Sequence, residues 1–315
     1  MKIIVLGGCG FIGTNLIIQL SKNKEHEIIC VDRDIKFFKV LRSLKLNNVI
    51  FRESKFDESE NYNKLFSDAD IVFHLLSTTN PTTSNQHISE ELSENVVISS
   101  KILDACVASN VKRIIFMSSG GTVYGNMVNC PIKENSETNP INSYGLQKLM
   151  IEKLLYLYNY VYQLDYKIIR LSNPYGPYQR PNGQLGVITT FTYNALNNKE
   201  LCVFGDGSVI RDYIYIDDAV TGILKIMNDL TSNKIYNLGS GKGNSIKDIL
   251  NVLDEIIEQP VKVKYMSARK VDVKANYLDI SKYESVFGKL NCRDIKDGIK
   301  ETILFLENFY DIRKS

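Results

Sequence analysis

The sequence predicts an α/β protein: a doubly wound parallel sheet followed by a smaller C-terminal α/β lobe. Six short apolar, β-branched runs predict strands at 2–6, 27–31, 49–53, 71–75, 112–118 and 166–171. The stretches between them predict helices, most clearly at 11–23, 92–110 and 145–163. Continuous apolar strands that alternate with helices are typical of a parallel sheet covered on both faces.

The regular alternation ends around Asn173-Pro174-Tyr175-Gly176-Pro177, where the sequence becomes rich in loop residues. Beyond it the pattern predicts helices near 185–198, 217–229 and 246–258, with short strands between them. We therefore predict a first domain over 1–173 and a second lobe over 174–315. The run Tyr236-Asn237-Leu238-Gly239 is expected to return to the main sheet.

The composition argues against several classes of protein. A net charge of +2 gives no reason to expect nucleic acid or an anionic membrane as a partner. The six cysteines have no metal-ligand spacing and the three histidines do not cluster, so no metal site is expected. The apolar run at the N-terminus is too short for a signal peptide, and we expect a cytoplasmic protein.

A glycine motif follows the first strand. The segment G-G-C-G-F-I-G fits the register Gly7-x-x-Gly10-x-x-Gly13, and also the register that begins at residue 8. Either register sets a tight turn and a helix N-terminus against the pyrophosphate of a dinucleotide, as in a Rossmann-type domain. Asp32 ends the second strand, where a carboxylate binds the adenosine ribose and repels a 2′-phosphate. This favours NAD over NADP, although the adjacent Arg33 argues the other way.

Tyr144 and Lys148 stand four residues apart at the start of a predicted helix, so they share one face. The spacing alone is weak, because Tyr310 and Lys314 also satisfy it. The position is more informative, since the pair follows strand 112–118 and its T-V-Y-G loop.

Motifs along the whole chain resemble the extended short-chain dehydrogenase/reductase family, most closely its nucleotide-sugar branch of UDP-glucose 4-epimerases. The motifs are G-G-C-G-F-I-G, V-D at 31–32, F-H-L-L at 73–76, E-N-V at 94–96, S-S-G-G-T-V-Y-G at 118–125, S-Y-G-L-Q-K at 143–148, R-L-S-N-P-Y-G-P at 170–177 and V-F-G-D-G-S-V-I-R-D-Y-I-Y-I-D-D at 203–218. The resemblance implies tightly bound NAD and a UDP-sugar substrate.

The same resemblance implies the site residues. Tyr144 is the expected general base, with a pKa lowered from ~10 by the Lys148 ammonium and the nicotinamide ring, and Lys148 binds the nicotinamide ribose. The predicted cofactor contacts are Gly7, Gly10, Phe11, Ile12, Gly13, Asp32, Arg33, Phe56, Asp57, Leu75, Leu76, Ser77, Asn95, Ser118, Tyr144, Lys148 and Tyr175. The predicted substrate contacts are Thr122, Asn173, Val187, Arg211, Arg269, Asp272 and Asn276.

The adenine contact departs from the family pattern, because Lys55 stands where an aspartate is usual. Asp57 is a candidate substitute, and Phe56 packs either on the adenine or in the core. On the substrate side, Arg211 and Arg269 are expected to clamp the diphosphate and Asp272 to bind the ribose. Asn276 aligns with a position that limits the sugar's 2-substituent, and its small side chain leaves an N-acetylhexosamine possible.

The catalytic loop departs as well. Gly120 stands where related epimerases carry a serine or threonine hydroxyl, and Thr122, or second Ser119, is the candidate replacement. Sugar 4,6-dehydratases place an Asp-Glu pair in this loop, whereas this chain has Gly121-Thr122, so elimination lacks its acid and base. We therefore expect a 4-epimerase.

Two alternatives remain. The chain is either another NAD-dependent nucleotide-sugar enzyme, such as a dehydratase or reductase, or a non-catalytic NAD-binding sensor or scaffold. By resemblance, the helices at 92–110 and 145–163 are expected to form a homodimer.

Overall fold

The computed structural model describes residues 1–57, 59–126, 129–181, 186–257, 259–268 and 273–312. Its strands, in chain order, are β1 (Lys2–Leu6), β2 (Glu27–Asp32), β3 (Val49–Glu53), β4 (Ile71–His74), β5 (Arg113–Ser119), β6 (Tyr166–Leu171), β7 (Asn173–Tyr175), β8 (Leu201–Phe204), β9 (Ile210–Arg211), β10 (Tyr213–Tyr215), β11 (Ile235–Leu238), β12 (Asn244–Ser245), β13 (Val263–Met266) and β14 (Ala275–Asn276).

The α-helices are α1 (Phe11–Leu20), α2 (Lys39–Ser43), α3 (Tyr62–Leu65), α4 (Ile88–Leu92), α5 (Ile98–Ala108), α6 (Ser143–Tyr162), α7 (Val187–Leu196), α8 (Ile216–Met227), α9 (Ile246–Ile256), α10 (Ser281–Phe287) and α11 (Ile295–Phe309). A 3-10 turn over Ile35–Phe38 precedes α2, and a π-helical turn over Ser93–Val97 joins α4 to α5.

Within the described residues, seven strands form one sheet in the order β11-β6-β5-β4-β1-β2-β3, and each neighbouring pair is parallel. The chain starts at the centre with β1, runs outward to β3, and crosses back to β4 on the other side of β1. The strand order therefore reverses between β1 and β4, and a crevice opens there at the carboxyl ends of the strands. The predicted fold class is confirmed. The helix predicted at 92–110 is instead the end of α4, a π-helical turn and α5, and the other predicted elements agree with the observed ones to within three residues.

The sheet separates two hydrophobic cores. Along β1, Ile3 and Val5 belong to one core, while Ile4 and Leu6 belong to the other, and all four are fully buried. Burial of each such side chain contributes roughly 1.5–3 kcal/mol, which explains why a strand that is apolar at every position lies inside a doubly covered sheet.

The C-terminal lobe has its own core. The strands β8 and β13 pair in parallel, and helices α7, α9 and α11 pack together beside them. This last helix, α11, was not among the predicted elements. The chain crosses between the two parts, because β11 pairs with β6 at the edge of the main sheet. A further cluster of Val123, Tyr124, Ile132 and Leu278 ties the loop after β5 to a segment from the lobe.

No helix in the described ranges combines the length and the apolar character that crossing a bilayer requires.

Candidate active site

The turn after β1 is built on glycine. Gly7 has φ of 76°, a conformation that favours glycine, and its N–H donates to the Val31 carbonyl at 2.9 Å. The Gly10 N–H donates back to the Gly7 carbonyl at 3.1 Å. A Cβ atom at Gly13 would lie 2.6 Å from that same carbonyl oxygen, so a larger residue there would push the helix away from the turn.

Helix α1 begins directly after this turn with its first N–H groups uncapped by any side chain. Gly10 is the N-cap residue and provides no hydroxyl or carboxylate, and the first turn contains no acidic residue. The positive end of the helix dipole and the uncapped N–H groups suit a phosphate. Phe11 and Ile12 in that first turn are half-buried against the core. The turn and helix therefore fit the pyrophosphate of a dinucleotide.

Asp32 lies at the carboxyl end of β2, where a ribose would be bound. Its Oδ2 accepts from the Cys9 N–H at 2.9 Å and its Oδ1 from the Arg33 N–H at 2.8 Å, and the side chain stays half-buried. Each oxygen retains a lone pair for a ribose hydroxyl. The Arg33 guanidinium lies over the Phe37 ring at 6.0 Å, and Arg180 approaches the same ring at 5.1 Å. Arg180 was not predicted at this position, because it follows β7, far along the chain from Arg33.

At the predicted adenine side, the residues have local partners. The Asp57 Oδ1 accepts from the Ser59 N–H at 2.9 Å and from the Ser59 hydroxyl at 2.5 Å, and these bonds lower the pKa of Asp57. Phe56 has φ of 54° and packs against the sheet core that contains Leu6. Of its two predicted positions, Phe56 therefore takes the one in the core. Asp57 uses only its Oδ1 in these bonds, so its Oδ2 remains for an adenine amino group.

The loop after β4 covers the glycine turn. The Leu75 N–H donates to the Leu6 carbonyl at 3.1 Å, and a Cβ at Gly7 would lie 3.3 Å from Leu76. The Ser77 hydroxyl donates to a carbonyl two residues on at 2.7 Å. The three predicted residues therefore line the crevice beside the turn.

Asn95 holds this loop from the π-helical turn. Its side chain accepts from the Thr78 N–H at 2.9 Å and donates to the Thr78 hydroxyl at 2.8 Å. The network continues to α6, because Gln147 donates to Glu91 at 3.1 Å and accepts from Thr79 at 3.1 Å. Sequence analysis missed Gln147 and Glu91, which join the cofactor loop to the helix that carries Tyr144.

Lys148 is buried on the inner face of α6. Its Nζ donates to the Met117 carbonyl at 2.9 Å and lies 4.8 Å from the Phe116 ring centroid and 5.7 Å from the Tyr144 ring centroid. Burial lowers the pKa of Lys148 to about 8, and the charge of Glu152 opposes that shift. Lys148 lies beside Tyr144 as expected. Because it is shielded from water, its ammonium form is less favoured than that of a free lysine.

The pKa of Tyr144 differs from the expectation. Burial raises it to about 12, while the Ser119 hydroxyl, which hydrogen-bonds the phenol, lowers it. The Lys148 Nζ donates to the Met117 carbonyl and lies 5.7 Å from the Tyr144 ring centroid, and its charge does not offset the effect of burial on the Tyr144 pKa. The expected lowering by Lys148 was wrong for the protein alone, since the predicted spacing cannot reveal how strongly the surrounding elements exclude water.

Ser118 is held in a buried network under the site. Its hydroxyl donates to the Glu152 carboxylate at 2.5 Å, and Arg170 donates to the same carboxylate at 3.1 Å and 2.7 Å. Arg170 also donates to the Tyr124 hydroxyl at 3.0 Å. Glu152 lies one turn after Lys148, so its i, i+4 spacing was a signal that sequence analysis did not use.

The loop after β5 leaves no room for a side chain at Gly120. A Cβ at Gly120 would lie 2.6 Å from a Leu278 methyl group and 3.1 Å from a main-chain oxygen of β6. In contrast, a Cβ at Gly121 would meet only the Ser119 hydroxyl and the Asn173 side-chain oxygen, each at 3.9 Å. Ser119 and Asn173 therefore border the open space that Gly121 leaves.

Thr122 is the other candidate hydroxyl. It is 9% exposed, and its Oγ1 is buried without a hydrogen-bond partner among the residues the structure describes. Its Cβ would lie 3.1 Å from a Cβ placed at Gly145, next to Tyr144. Of the two candidates, Ser119 hydrogen-bonds Tyr144, whereas Thr122 packs against the following residue, Gly145.

Three predicted substrate residues converge on short strands above the sheet. Asn276 on β14 pairs with Arg211 on β9, and its side-chain amide donates to the Gly120 carbonyl at 3.3 Å. The Asn173 amide donates to the Asp212 carbonyl at 2.8 Å. The Arg211 guanidinium donates to the Val273 carbonyl at 2.7 Å.

Other predicted contacts lie apart or outside this group. Val187 opens α7 and is half-buried against the lobe core. Tyr175 is 2% exposed and packs in that core against Tyr215, with ring centroids 5.7 Å apart. This leaves only the Tyr175 backbone for a cofactor. Arg269 and Asp272 lie outside the described residues.

Comparisons with known proteins agree with this geometry. A family model described as "NAD dependent epimerase/dehydratase family" matches residues 3–239. The solved UDP-glucose 4-epimerase of Thermotoga maritima with UDP-glucose is 30% identical, with a TM-score of 0.89 over 98% of this chain and 100% of that one.

Two further solved structures are similar. The UDP-glucuronic acid 4-epimerase of Bacillus cereus, with UDP-glucuronic acid and NAD, is 26% identical, with a TM-score of 0.90 over 98% of this chain and 100% of that one. The UDP-N-acetylglucosamine 4-epimerase of Methanobrevibacter ruminantium is 26% identical, with a TM-score of 0.90 over 98% of each chain.

Proposed function

The chain belongs to the NAD dependent epimerase/dehydratase family, and from that premise we propose that it is a 4-epimerase of a UDP-hexose or a UDP-N-acetylhexosamine. The observation that carries this proposal is the pairing of a Ser119–Tyr144 hydroxyl couple with a loop that holds no carboxylate at 121 and 122. NAD is the cofactor of the family and of similar solved structures, and the glycine turn, α1 and Asp32 fit it.

Tyr144 is proposed to take the proton from the sugar 4-hydroxyl. When bound, NAD supplies the hydride acceptor and a positive charge that favours the phenolate. That charge is needed, because burial raises the pKa of Tyr144 to about 12 even with the hydrogen bond from Ser119. Lys148 spends one of its three N–H donors on the Met117 carbonyl, which leaves two for the nicotinamide ribose.

Ser119, rather than Thr122, is proposed to replace the hydroxyl missing at Gly120. Ser119 hydrogen-bonds Tyr144 and borders the space left open by Gly121. Its O–H favours the phenolate, and it relays the proton between the sugar and Tyr144. Thr122 packs against Gly145 with its Oγ1 unpaired in the described part of the chain, and it is proposed to contact the substrate only.

Epimerisation is favoured over elimination of water by the chemistry of the loop. Elimination needs an acid and a base, and Gly121 and Thr122 provide neither. The nearby carboxylate of Glu152 is buried and occupied by Ser118 and Arg170. The 4-keto sugar is instead proposed to turn over in the pocket before reduction on its other face.

Asn276 is proposed to border the sugar 2-substituent. Its amide reaches the Gly120 carbonyl, so it lies against the catalytic loop. Asparagine is smaller than the aromatic residue expected of enzymes restricted to unacetylated hexoses. The related Methanobrevibacter ruminantium enzyme, a UDP-N-acetylglucosamine 4-epimerase, supports inclusion of N-acetylated substrates. Arg211, Arg269 and Asp272 are proposed to hold the UDP.

A homodimer through α5 and α6 is part of the proposal. The outer face of α6 exposes Met150, Leu157 and Tyr160 to solvent. Beside them an apolar groove of about 380 Å³ is lined by Val96, Leu146, Leu149, Met150, Lys153, Leu154 and Leu157. A large apolar patch of this kind is typical of a protein interface. Sedimentation should give a dimer, and Leu157→Glu should give a monomer.

The deciding experiment is proton NMR of the purified protein without added NAD. The substrates are UDP-glucose, UDP-galactose, UDP-GlcNAc and UDP-GalNAc, with UDP-glucuronate as a fifth because a similar solved enzyme binds it. Interconversion of a 4-epimer pair is expected. A 4-keto-6-deoxy product would replace the proposal with dehydration, and bound NAD without turnover would favour the sensor.

A further inference from the structure

Cys9 and Cys30 form a buried thiol pair under the glycine turn. Cys9 lies between Gly8 and Gly10 in the turn, and Cys30 lies in the neighbouring strand β2. Their sulfur atoms are 3.6 Å apart and hydrogen-bond each other, and the residues are 8% and 0% exposed. The thiols therefore touch each other although 21 residues separate them along the chain.

The pair lies between two groups that bind the dinucleotide. The Cys9 N–H donates to the Asp32 carboxylate, so this residue connects the pyrophosphate turn to the ribose-binding group. A Cβ at Gly8 would lie 2.7 Å from the Cys30 sulfur, so that sulfur packs directly beneath the turn. A change in the sulfur–sulfur distance therefore moves the backbone that holds NAD.

The two thiols have different reactivities. The contact with Cys9, together with burial, raises the pKa of Cys30 far above its ordinary value, so Cys30 is the less reactive thiol while Cys9 is reduced. Cys9 is 8% exposed whereas Cys30 is fully buried, so Cys9 is the residue that an oxidant can reach from the turn. An oxidant is thus expected to attack Cys9 first.

We propose that Cys9 and Cys30 are a reversible oxidation site that couples thiol redox state to NAD binding. Hydrogen peroxide oxidises the Cys9 thiol to a sulfenic acid and releases one water. The Cys30 thiol then attacks the Cys9 sulfur, forms the S–S bond and releases a second water. Two thiols and one peroxide thus give one disulfide and two waters, and a dithiol reductant reverses the step.

The disulfide shortens the sulfur–sulfur distance from 3.6 Å to about 2.05 Å. This draws the Cys9 backbone toward β2 and alters the turn that approaches the pyrophosphate. We expect NAD affinity to fall about tenfold, equivalent to 1.4 kcal/mol. Bound NAD in turn is expected to cover Cys9 and slow its oxidation. The inference rests on NAD binding and is independent of which sugar is the substrate.

The test uses the purified chain of residues 1–315 after bound NAD has been removed, with and without saturating NAD added back. Each sample is treated with hydrogen peroxide, alkylated with iodoacetamide, digested and analysed by mass spectrometry, and NAD affinity is measured by calorimetry. A peptide joining Cys9 to Cys30 is expected, formed more slowly when NAD is present. The tenfold loss of affinity should accompany it and be reversed by dithiothreitol.

Cys202→Ser is the matched control, because Cys202 is exposed on β8 in the C-terminal lobe. It should respond to peroxide as the wild type does. Cys30→Ser, and Cys9→Ser if Cys30→Ser fails to fold, should lose the reversible response. Absence of the cross-linked peptide in both samples, an unchanged NAD affinity in the cross-linked protein, or a full reversible response in the variants would overturn the proposal.

Discussion

The amino and carboxyl ends of the strands in the main sheet hold buried lysines in different ways. At the amino ends of the strands, carboxylates form ion pairs with cations. Arg113 and Lys234 lie 2.6 Å and 2.5 Å from Asp165, and Lys167 lies 2.6 Å from Asp229. At the carboxyl ends of the strands, Lys148 is buried against the Met117 carbonyl and the rings of Phe116 and Tyr144. Arg170 is paired there as well, with Glu152 at 2.7 Å, whereas Lys148 forms no ion pair among the described residues and keeps donors available to a ligand.

The two buried lysines show the difference most clearly. The Nζ of Lys167 donates to Asp229 at 2.6 Å, to the Thr231 carbonyl at 2.9 Å and to the Asn233 carbonyl at 2.6 Å, which uses all three donors. Within the described part of the chain, Lys148 donates to one acceptor, the Met117 carbonyl. Burial lowers the pKa of both lysines. A buried lysine with unused donors therefore indicates a binding role, and one with none indicates a structural role.

The largest expected effect is a loss of stability when Lys167, at the amino ends of the strands, is replaced. Lys167→Met leaves Asp229 buried without its cation and should lower the free energy of unfolding by about 3–5 kcal/mol. Urea denaturation measures this change, and turnover per folded molecule should stay at the wild-type level. The double variant with Asp229→Asn should recover part of the loss. A loss below about 1 kcal/mol would mean that Lys167 is no more structural than a surface lysine.

The next largest expected effect is on kcat, when the hydroxyl of Ser119 or Thr122 is removed. Ser119→Ala should lower kcat about 100-fold, because it removes the O–H that favours the Tyr144 phenolate. Thr122→Val is the matched control, since it keeps the buried shape and removes only the hydroxyl. It should lower kcat less than about fivefold. The steady-state assay would contradict the assignment if Thr122→Val were the slower variant.

The smallest expected effect is a gain in stability. Because burial lowers the pKa of Lys148 from 10.5 to about 8, the folded protein binds this proton more weakly than the unfolded chain does. Lys148→Met should therefore raise the free energy of unfolding at pH 7 by about 1–3 kcal/mol while abolishing turnover.

The pH dependence of that gain gives the sign of the effect. Lysine is charged in both states below pH 8 and neutral in both above 10.5, so the gain should shrink as pH rises between these values. The exposed Lys64→Met on α3 is the control and should change stability little at either pH. A gain that is constant with pH would show that packing, rather than the buried charge, is responsible.

The fold was predictable because its signals are local. Continuous apolar runs such as Ile3–Leu6 specify doubly covered strands, and the glycines at 7, 10 and 13 specify the turn that begins α1. Those signals need no knowledge of distant residues, and the structure agrees with them closely.

The features that the sequence could not reveal come from contacts between distant segments. Gly120 looked like a missing hydroxyl, but its Cβ direction is filled by Leu278 from the C-terminal lobe. The pKa of Tyr144 depends on water exclusion by several elements, and spacing to Lys148 cannot report it. Tyr175 was expected at the cofactor, yet α11 packs over it, and that helix was not predicted.

Isotope labelling tests directly whether the hydrogen that is removed from sugar C4 returns to the same carbon. The wild-type protein is incubated with UDP-glucose and UDP-GlcNAc deuterated at C4, and the products are analysed by NMR. We expect a 4-epimer that keeps the label at C4. Label transferred to C6 with loss of water, or lost to solvent, would contradict it.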